Sequence, residues 1–483
     1  MLLTLFFIFK GMNLTVKMIN AILALLSLSV MAAVSAKQSE QLLTKNSQET
    51  GIFVRELEGI SEYKLSNGLQ ILLIPDTFAK NTVVNLTYRV GSKYEAPDEK
   101  GIAHLFEHFA VMRGSGHHPD LQQEMKDRKF KRVGITSADY TYYRSNFETK
   151  DNYLDWILNV EADRMQNFSY SKDSLHTALS EVLDELREND SNIRRFHYKK
   201  MLETVFQQHP YGTDVLGSRR DLENIQLDAV KNFWEKHYHP NNATIIIAGN
   251  FDVEKALISV ANAFSEIPGY KEPVSNISVG KFPRQTQKEF LIRRPKERSV
   301  VFLAYRTEGI SHPDYAAATL IGELLSSDNG IQSWKKKLLN SKKSSSFNSG
   351  NLQFSEANAL MFYAELDFGD AKKIPQVKDF FLQQESNLKK KKFNQIELDE
   401  IKNQYKVKAS NERKDIKEFS EKLSSYIAGG DWRLYFWERN RIQEMTLEHL
   451  HRVSKSLLVP SNRTVGIFME ENSVKTPLLL KSR

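Results

Sequence analysis

The chain of 483 residues contains no cysteine. That absence excludes disulfide frameworks, thiolate metal sites and cysteine nucleophiles together. Any metal must be held by histidine, aspartate or glutamate, and an open site with such donors is the catalytic rather than the structural kind of zinc site. A long apolar run near the N-terminus is also missing. The run from Ala21 to Val30 falls well short of the ~20 residues a membrane span needs. Charge of one sign is only modestly in excess, at a formal +7. The basic clusters Lys335–Lys337 and Lys389–Lys392 have no aromatic interleaving, and runs of this kind on helices are ordinarily solvated faces. Nucleic acid is therefore not an expected partner.

The length exceeds what one hydrophobic core supports, so several domains are expected. The first 36 residues differ from the rest: they hold no acid, and their only bases are Lys10 and Lys17. A basic region, an apolar run and the small residues Ala33-Val34-Ser35-Ala36 read as a secretory signal peptide over 1–36. Cleavage would leave a mature chain from Lys37, exported to the periplasm with no stable membrane span. An uncleaved signal would tether it instead. Met12 offers an alternative start that gives the signal an ordinary length.

Two segments echo each other 220 residues apart. Leu227-Asp228 opens a helical run leading to Pro240-Asn241-Asn242-Ala243-Thr244-Ile245. Leu447-Glu448 opens another, leading to Pro460-Ser461-Asn462-Arg463-Thr464-Val465. A repeat this long means two similar domains, not a solenoid. Tyr63–Ser66 and Leu69–Ile74 flank Asn67-Gly68, which suits a hairpin with a type I′ turn. Val83–Val90 reads as a third strand, and helical patterns follow at Asn152–Met165, Ser174–Arg187 and Arg195–Gln207. The second copy offers strands at Lys288–Arg293 and Val300–Tyr305. Helices then follow at Tyr315–Leu325, Pro375–Leu388 and Ile396–Tyr426. The fold class expected is α+β: two tandem similar domains, each a mainly antiparallel sheet packed with helices. The expected divisions are a lead segment over 37–54, a metal-binding domain over 55–270, a linker over 271–287 and a second domain over 288–483 that binds no metal.

His104, Leu105, Phe106, Glu107 and His108 spell H-x-x-E-H in a helical stretch that begins near Gly101. Histidines at i and i+4 share one helix face and can both reach one Zn²⁺. Glu107 borders that face, where a carboxylate can act on a water held by the metal. A third ligand is needed. Glu181, Glu185 and Glu188 stand at i, i+4 and i+7 of one downstream helix; such acidic faces are usually solvated, and spacing alone leaves all three open.

With these motifs the chain resembles the pitrilysin/insulinase family of zinc peptidases. Many members separate the second histidine from the carboxylate ligand by 76 residues, the number that lies between His108 and Glu185. Asn67-Gly68-Leu69, Asp139-Tyr140-Thr141-Tyr142-Tyr143, Glu161-Ala162-Asp163-Arg164-Met165, His209-Pro210-Tyr211-Gly212, Gly430-Asp431-Trp432-Arg433 and Pro460–Gly466 resemble further family segments, in order, from about residue 55 to about 470. The resemblance implies one Zn²⁺ per chain on His104, His108 and Glu185, with Glu107 as general base; Glu181, one turn before Glu185, is expected to take over the supporting role of the family glutamate that Ala178 replaces. It implies hydrolysis of peptides or unfolded chains. It also implies a chamber of two halves, the other half being a second copy or a homologous chain. Two positions depart from the family: Ala178 stands where many members have glutamate, and Val133-Gly134 where many have Asn-Ala. They leave room for the alternative of a zinc-binding subunit with weak activity of its own that completes a partner.

Overall fold

The structure, a computed structural model, describes residues 51–112, 117–118, 120–150, 152–167, 171–271, 287–295, 297–328, 330–390 and 393–471. The expected signal peptide, most of the lead segment and nearly all of the expected linker lie outside the described residues.

The first half runs β1 (Ile52–Leu57), β2 (Ile60–Lys64), β3 (Gln70–Pro75), β4 (Asn81–Tyr88), α1 (Ile102–Met112), α2 (Leu121–Asp127), β5 (Lys131–Thr136) and β6 (Thr141–Glu148). It continues through α3 (Tyr153–Gln166), α4 (Lys172–Ser191), α5 (Ile193–Phe206), α6 (Arg219–Asn224), α7 (Leu227–His237), β7 (Ala243–Gly249) and α8 (Val253–Phe264). The second half runs β8 (Lys288–Arg294), β9 (Val300–Glu308), α9 (Pro313–Ser326), α10 (Trp334–Asn340), β10 (Ser346–Asn351) and β11 (Ala357–Glu365). It ends with α11 (Ile374–Lys390), α12 (Gln395–Glu412), α13 (Ile416–Ala428), α14 (Leu434–Glu444), α15 (Leu447–Leu457) and β12 (Arg463–Glu470).

Each half builds one sheet, ordered β1-β2-β3-β7-β4-β6-β5 and β10-β11-β9-β12-β8. The α+β class with two similar, mainly antiparallel units holds. The 220-residue echo has a topological meaning: β7 lies parallel to β3 and antiparallel to β4, and β12 lies parallel to β8 and antiparallel to β9. Both strands are buried nearly throughout, which their runs of β-branched and aromatic residues require.

Two local expectations are corrected. The hairpin turn is not type I′, because Gly68 has positive φ (94°) and Asn67 does not. Gly68 N donates to Leu65 O and Leu65 N to Leu69 O, the pattern of a three-residue loop closed by a glycine bulge. Asn67 is held instead by its side chain, which donates to Phe264 O and Ile267 O at 2.7 and 2.9 Å. The helical run Ile396–Tyr426 is two helices, because Asp415 caps α13 by accepting from Lys417 N and Glu418 N. A side chain that satisfies the free N–H groups of a new helix start ends the old helix.

Each sheet packs one face on its own helices and the other on a helix from the opposite half. Ile60, Leu72 and Ile246 of the first sheet meet Phe419, Leu423 and Tyr426 of α13. Phe302, Ala304 and Phe468 of the second meet Met201, Val205 and Phe206 of α5. Within the first contact Asn85, wholly buried, donates to Ser420 O (3.0 Å) and Ser424 Oγ (3.1 Å). A buried amide is tolerated there because the other half supplies its partners.

Candidate metal centre

α1 begins where Gly101 takes φ +99° and Glu95 caps it, accepting from Gly101 N and Ala103 N at 3.0 and 3.1 Å. Its far end is tied by Arg164 of α3, which donates to Ala110 O (3.0 Å) and pairs with Glu161 (2.8 Å). Glu161 also pairs with Arg132 of β5 at 3.1 Å. The segment Glu161–Met165 therefore fastens the helix to the strand beside it. Leu105, Phe106 and Phe109 are buried in the first core, which turns His104, Glu107 and His108 toward α4 and β5.

There they meet Glu185. Its Oε2 lies 3.5 Å from His104 Nε2 and 3.4 Å from His108 Nε2, and one ligand atom from each residue lies within 4.8 Å of the other two. A tetrahedral ion with bonds of about 2.0–2.1 Å sets its ligand atoms roughly 3.3–3.5 Å apart. The carboxylate-to-imidazole distances match that edge, so the residues present fit Zn²⁺ in donor type and in both spacings to Glu185. Asn189, one turn on, donates to Glu185 Oε1 at 3.4 Å. Glu181 Oε2 stands 3.4 Å from His108 Nδ1, the position from which a carboxylate orients a ligating imidazole. Glu188 is exposed and joins no such cluster among the described residues. Ala178 is buried in the core, so that face of α4 offers packing rather than a carboxylate.

Glu107 lies 3.8 Å from His104 Nε2 and accepts from Thr136 Oγ1 at 3.2 Å. Burial pushes its carboxyl up to about 7, against the opposing pull of His108 and Thr136. Burial pushes His104 down to about 4, which keeps it in the neutral form that ligates. For His108 burial is outweighed by hydrogen bonds to Glu185 and Glu181, which raise it. The hydrogen bond from His108 in turn holds Glu185 below the usual carboxylate range. All four groups face a cleft of about 500 Å³, bounded on one side by β5 and on another by α5. β5 is an edge strand, so part of its backbone is open to another chain.

Gly134 of β5 explains one of the sequence departures. A Cβ there would fall 2.5 Å from Glu107 Oε1 and 2.9 Å from its Cγ, and would collide with Val111. The missing side chain is the space Glu107 occupies. The sequence pattern assigns no role to Thr136, Asn189 or Glu95. Asn189 carried a usable signal, its i+4 spacing from Glu185. Glu95 carried none, because its role depends on a loop folding back to the helix start.

Known proteins resemble the chain in sequence and in fold. A family profile described as Insulinase (Peptidase family M16) matches residues 70–219, and one described as Peptidase M16 inactive domain matches 224–405. An "Uncharacterized zinc protease" of Rickettsia bellii is 29% identical over 230 residues, 47% of this chain and 54% of the relative. This chain thus spans about half the length of that relative. "Zinc protease PqqE" of Helicobacter pylori is 27% identical over 354 residues, 70% of this chain and 76% of the relative. Among solved structures, a protease from Helicobacter pylori superposes with a TM-score of 0.78 at 22% identity, over 86% of this chain and 100% of that one. The periplasmic protease PqqL from Escherichia coli gives 0.74 at 15% identity, over 88% of this chain and 49% of that one.

The packing at Gly134 gives a direct test. Gly134→Ala should displace the Glu107 carboxylate from Thr136 and cost about 1–3 kcal/mol, as overpacking does. Chemical denaturation checks this, and unchanged stability would show that the strand has slack.

Proposed function

The chain belongs to peptidase family M16, the insulinase family, and on that premise we propose that it is a zinc-dependent endopeptidase acting on peptides or unfolded polypeptides. The observation that carries the reading is the convergence of His104 Nε2, His108 Nε2 and Glu185 Oε2, with Glu107 beside them on the wall of one cleft. Zn²⁺ held by those three residues, one ion per chain, would polarise a peptide carbonyl and bring the pKa of water toward neutrality. Glu107 takes the proton of the attacking water at its carboxylate and delivers it to the leaving amine. Thr136 keeps that carboxylate on the cleft side of β5. Glu181 holds the ring of His108 through Nδ1. The free edge of β5 pairs with the backbone of an extended substrate, which gives affinity without demanding a sequence. Export to the periplasm fits the N-terminal pattern and the periplasmic PqqL relative.

A second reading is favoured by one observation. This chain matches 49% of the PqqL chain, so in the proposed assembly it is one half of a chamber. A second copy or a homologous chain supplies the other half, and turnover by the lone half is weak. Two similar units account for the whole described chain.

Glu107→Gln should keep one zinc per chain and lose hydrolysis by ~10²–10⁴-fold, whereas His108→Ala should lose the metal. Metal analysis and a peptide assay on both variants check this; near-wild-type turnover in Glu107→Gln would remove the base role. Specific activity should also fall on dilution, in step with dissociation followed by light scattering. Full activity in a strictly monomeric sample would mean that one half suffices.

A further inference from the structure

The basic cluster Lys335–Lys337 has no part in the metal site, and the structure adds further cations to it. From Asn329 to Ser355 the chain carries five lysines and no acid. Lys342 and Lys343 follow α10, and Lys372 and Lys373 lie in the short turn Ala371–Lys373 that leads into α11. Three contacts bring these segments together. Lys373 Nζ donates to Lys342 O at 3.1 Å, Lys343 Nζ lies 5.5 Å from the centre of the Phe380 ring of α11, and Lys337 Nζ donates to Gln384 Oε1 of α11 at 3.2 Å. Two acids nearby are already paired, Asp370 with Lys373 at 2.7 Å and Glu365 with Arg298 at 2.9 Å. Lys336, Lys342, Lys343 and Lys372 form no ion pair among the described residues. Against them stand two exposed acids, Asp367 and Asp379, so the surface keeps a positive excess.

An aromatic ring projects from the same surface. Phe368, between β11 and the turn, is 59% exposed, while Leu366 before it and Ala371 after it are buried. Leu366 N donates to Ser299 O at 2.9 Å, and Gly369 turns the chain at φ +76° and donates to Glu470 Oε2 at 3.1 Å. The loop is thus anchored on both sides of a ring that it holds out into water, with the Arg298 guanidinium 5.3 Å from the ring centre. The contact to Glu470 also places the end of β12 here. After Glu471 the sequence has no acid and sets Lys475, Lys481 and Arg483 around Leu478-Leu479-Leu480.

This surface is remote from the metal. Just before β11, Phe354 lines the metal cleft and Ser355 N donates to Asp139 at 2.9 Å, where Lys93 pairs with Asp139 and Glu356 at 2.9 and 3.0 Å. Glu365, at the far end of β11, lies roughly 30 Å away at the usual rise of a strand.

We propose that this end of the second half docks on a bilayer of anionic phospholipid, with Phe368 entering the acyl boundary and Lys342, Lys343 and Lys372 on the headgroup phosphates. A single exposed ring is ordinary on a protein surface, but a ring projecting among unpaired lysines matches both layers of a membrane surface. Lysine ammonium groups are mobile point charges, which suit a layer of phosphates that has no fixed geometry. A protein partner would need a fitted pocket for the ring, whereas acyl chains flow around it. Docking in this way leaves the metal cleft at the far end of the sheet and open to solvent. It holds whether or not that cleft hydrolyses peptides.

The test is co-sedimentation of the mature chain from Lys37 with vesicles of phosphatidylcholine alone, and of phosphatidylcholine with an equal share of phosphatidylglycerol. Partition onto the anionic vesicles should be stronger by about a hundredfold at low salt, and the difference should shrink as salt screens the charges. A lysine at an anionic surface contributes roughly fivefold to partition, so Lys342→Gln, Lys343→Gln and Lys372→Gln together should remove nearly all of that preference. Phe368→Ala alone should weaken partition by about tenfold. Phe368→Trp should bind like the parent, and its added fluorescence should be quenched by lipids brominated in the acyl chains. Unchanged thermal unfolding reports that each variant is folded. Equal partition onto both vesicles, no partition, anionic partition that survives the three lysine substitutions, or an unquenched Phe368→Trp each overturns the proposal. Binding of the parent to poly-glutamate with none to vesicles would overturn it in favour of an acidic protein partner.

Discussion

The desolvation of α1 is the constraint on which the rest of the site depends. His104 and Glu107 are less than a tenth exposed, and polar groups taken so far from water cost several kcal/mol unless they are partnered. The partners come from two separate elements. Glu185 and Glu181 come from α4, Thr136 from β5, and the empty Cβ position of Gly134 provides the space. Because those elements belong to one core, its packing holds the donor atoms of His104, His108 and Glu185 together.

A second constraint makes the two halves one unit. A sheet with two apolar faces cannot leave one in water, and each half covers only one face of its own sheet. α13 covers the first sheet and α5 covers the second. α5 therefore does two jobs: one side packs on the partner sheet, and the other forms a wall of the metal cleft. The ion pairs around Asp139 lie at the same boundary. Position of the cleft wall and docking of the halves are consequently a single structural event, which ties the half without metal ligands to the shape of the site.

Much of this was legible in the sequence because it rests on local signals. The i, i+4 histidines, the 220-residue echo and the hydrophobic periods of the long helices each lie within one element or repeat exactly once. The family resemblance singled out Glu185 from three acids on one helix, which spacing could not do; the structure puts Glu185 against both imidazoles, Glu181 behind His108 and Glu188 in solvent. What failed or was missed depends on partners far away in sequence. Asn67 looked like a turn residue and is one, but its side chain answers to Phe264 and Ile267. The break before α13 leaves no mark on the helical pattern, because it comes from the Asp415 side chain capping the new helix. Gly134 looked like a departure, and only the approach of Glu107 shows why no side chain fits.

The most direct measurement is X-ray diffraction from crystals of the zinc-loaded protein at the zinc absorption edge. The account predicts one anomalous peak between α1 and α4, within about 2.0–2.2 Å of His104 Nε2, His108 Nε2 and Glu185 Oε2. A peak ligated through Glu181 or Glu188 in place of Glu185, or no peak in that cleft at saturating zinc, would contradict it.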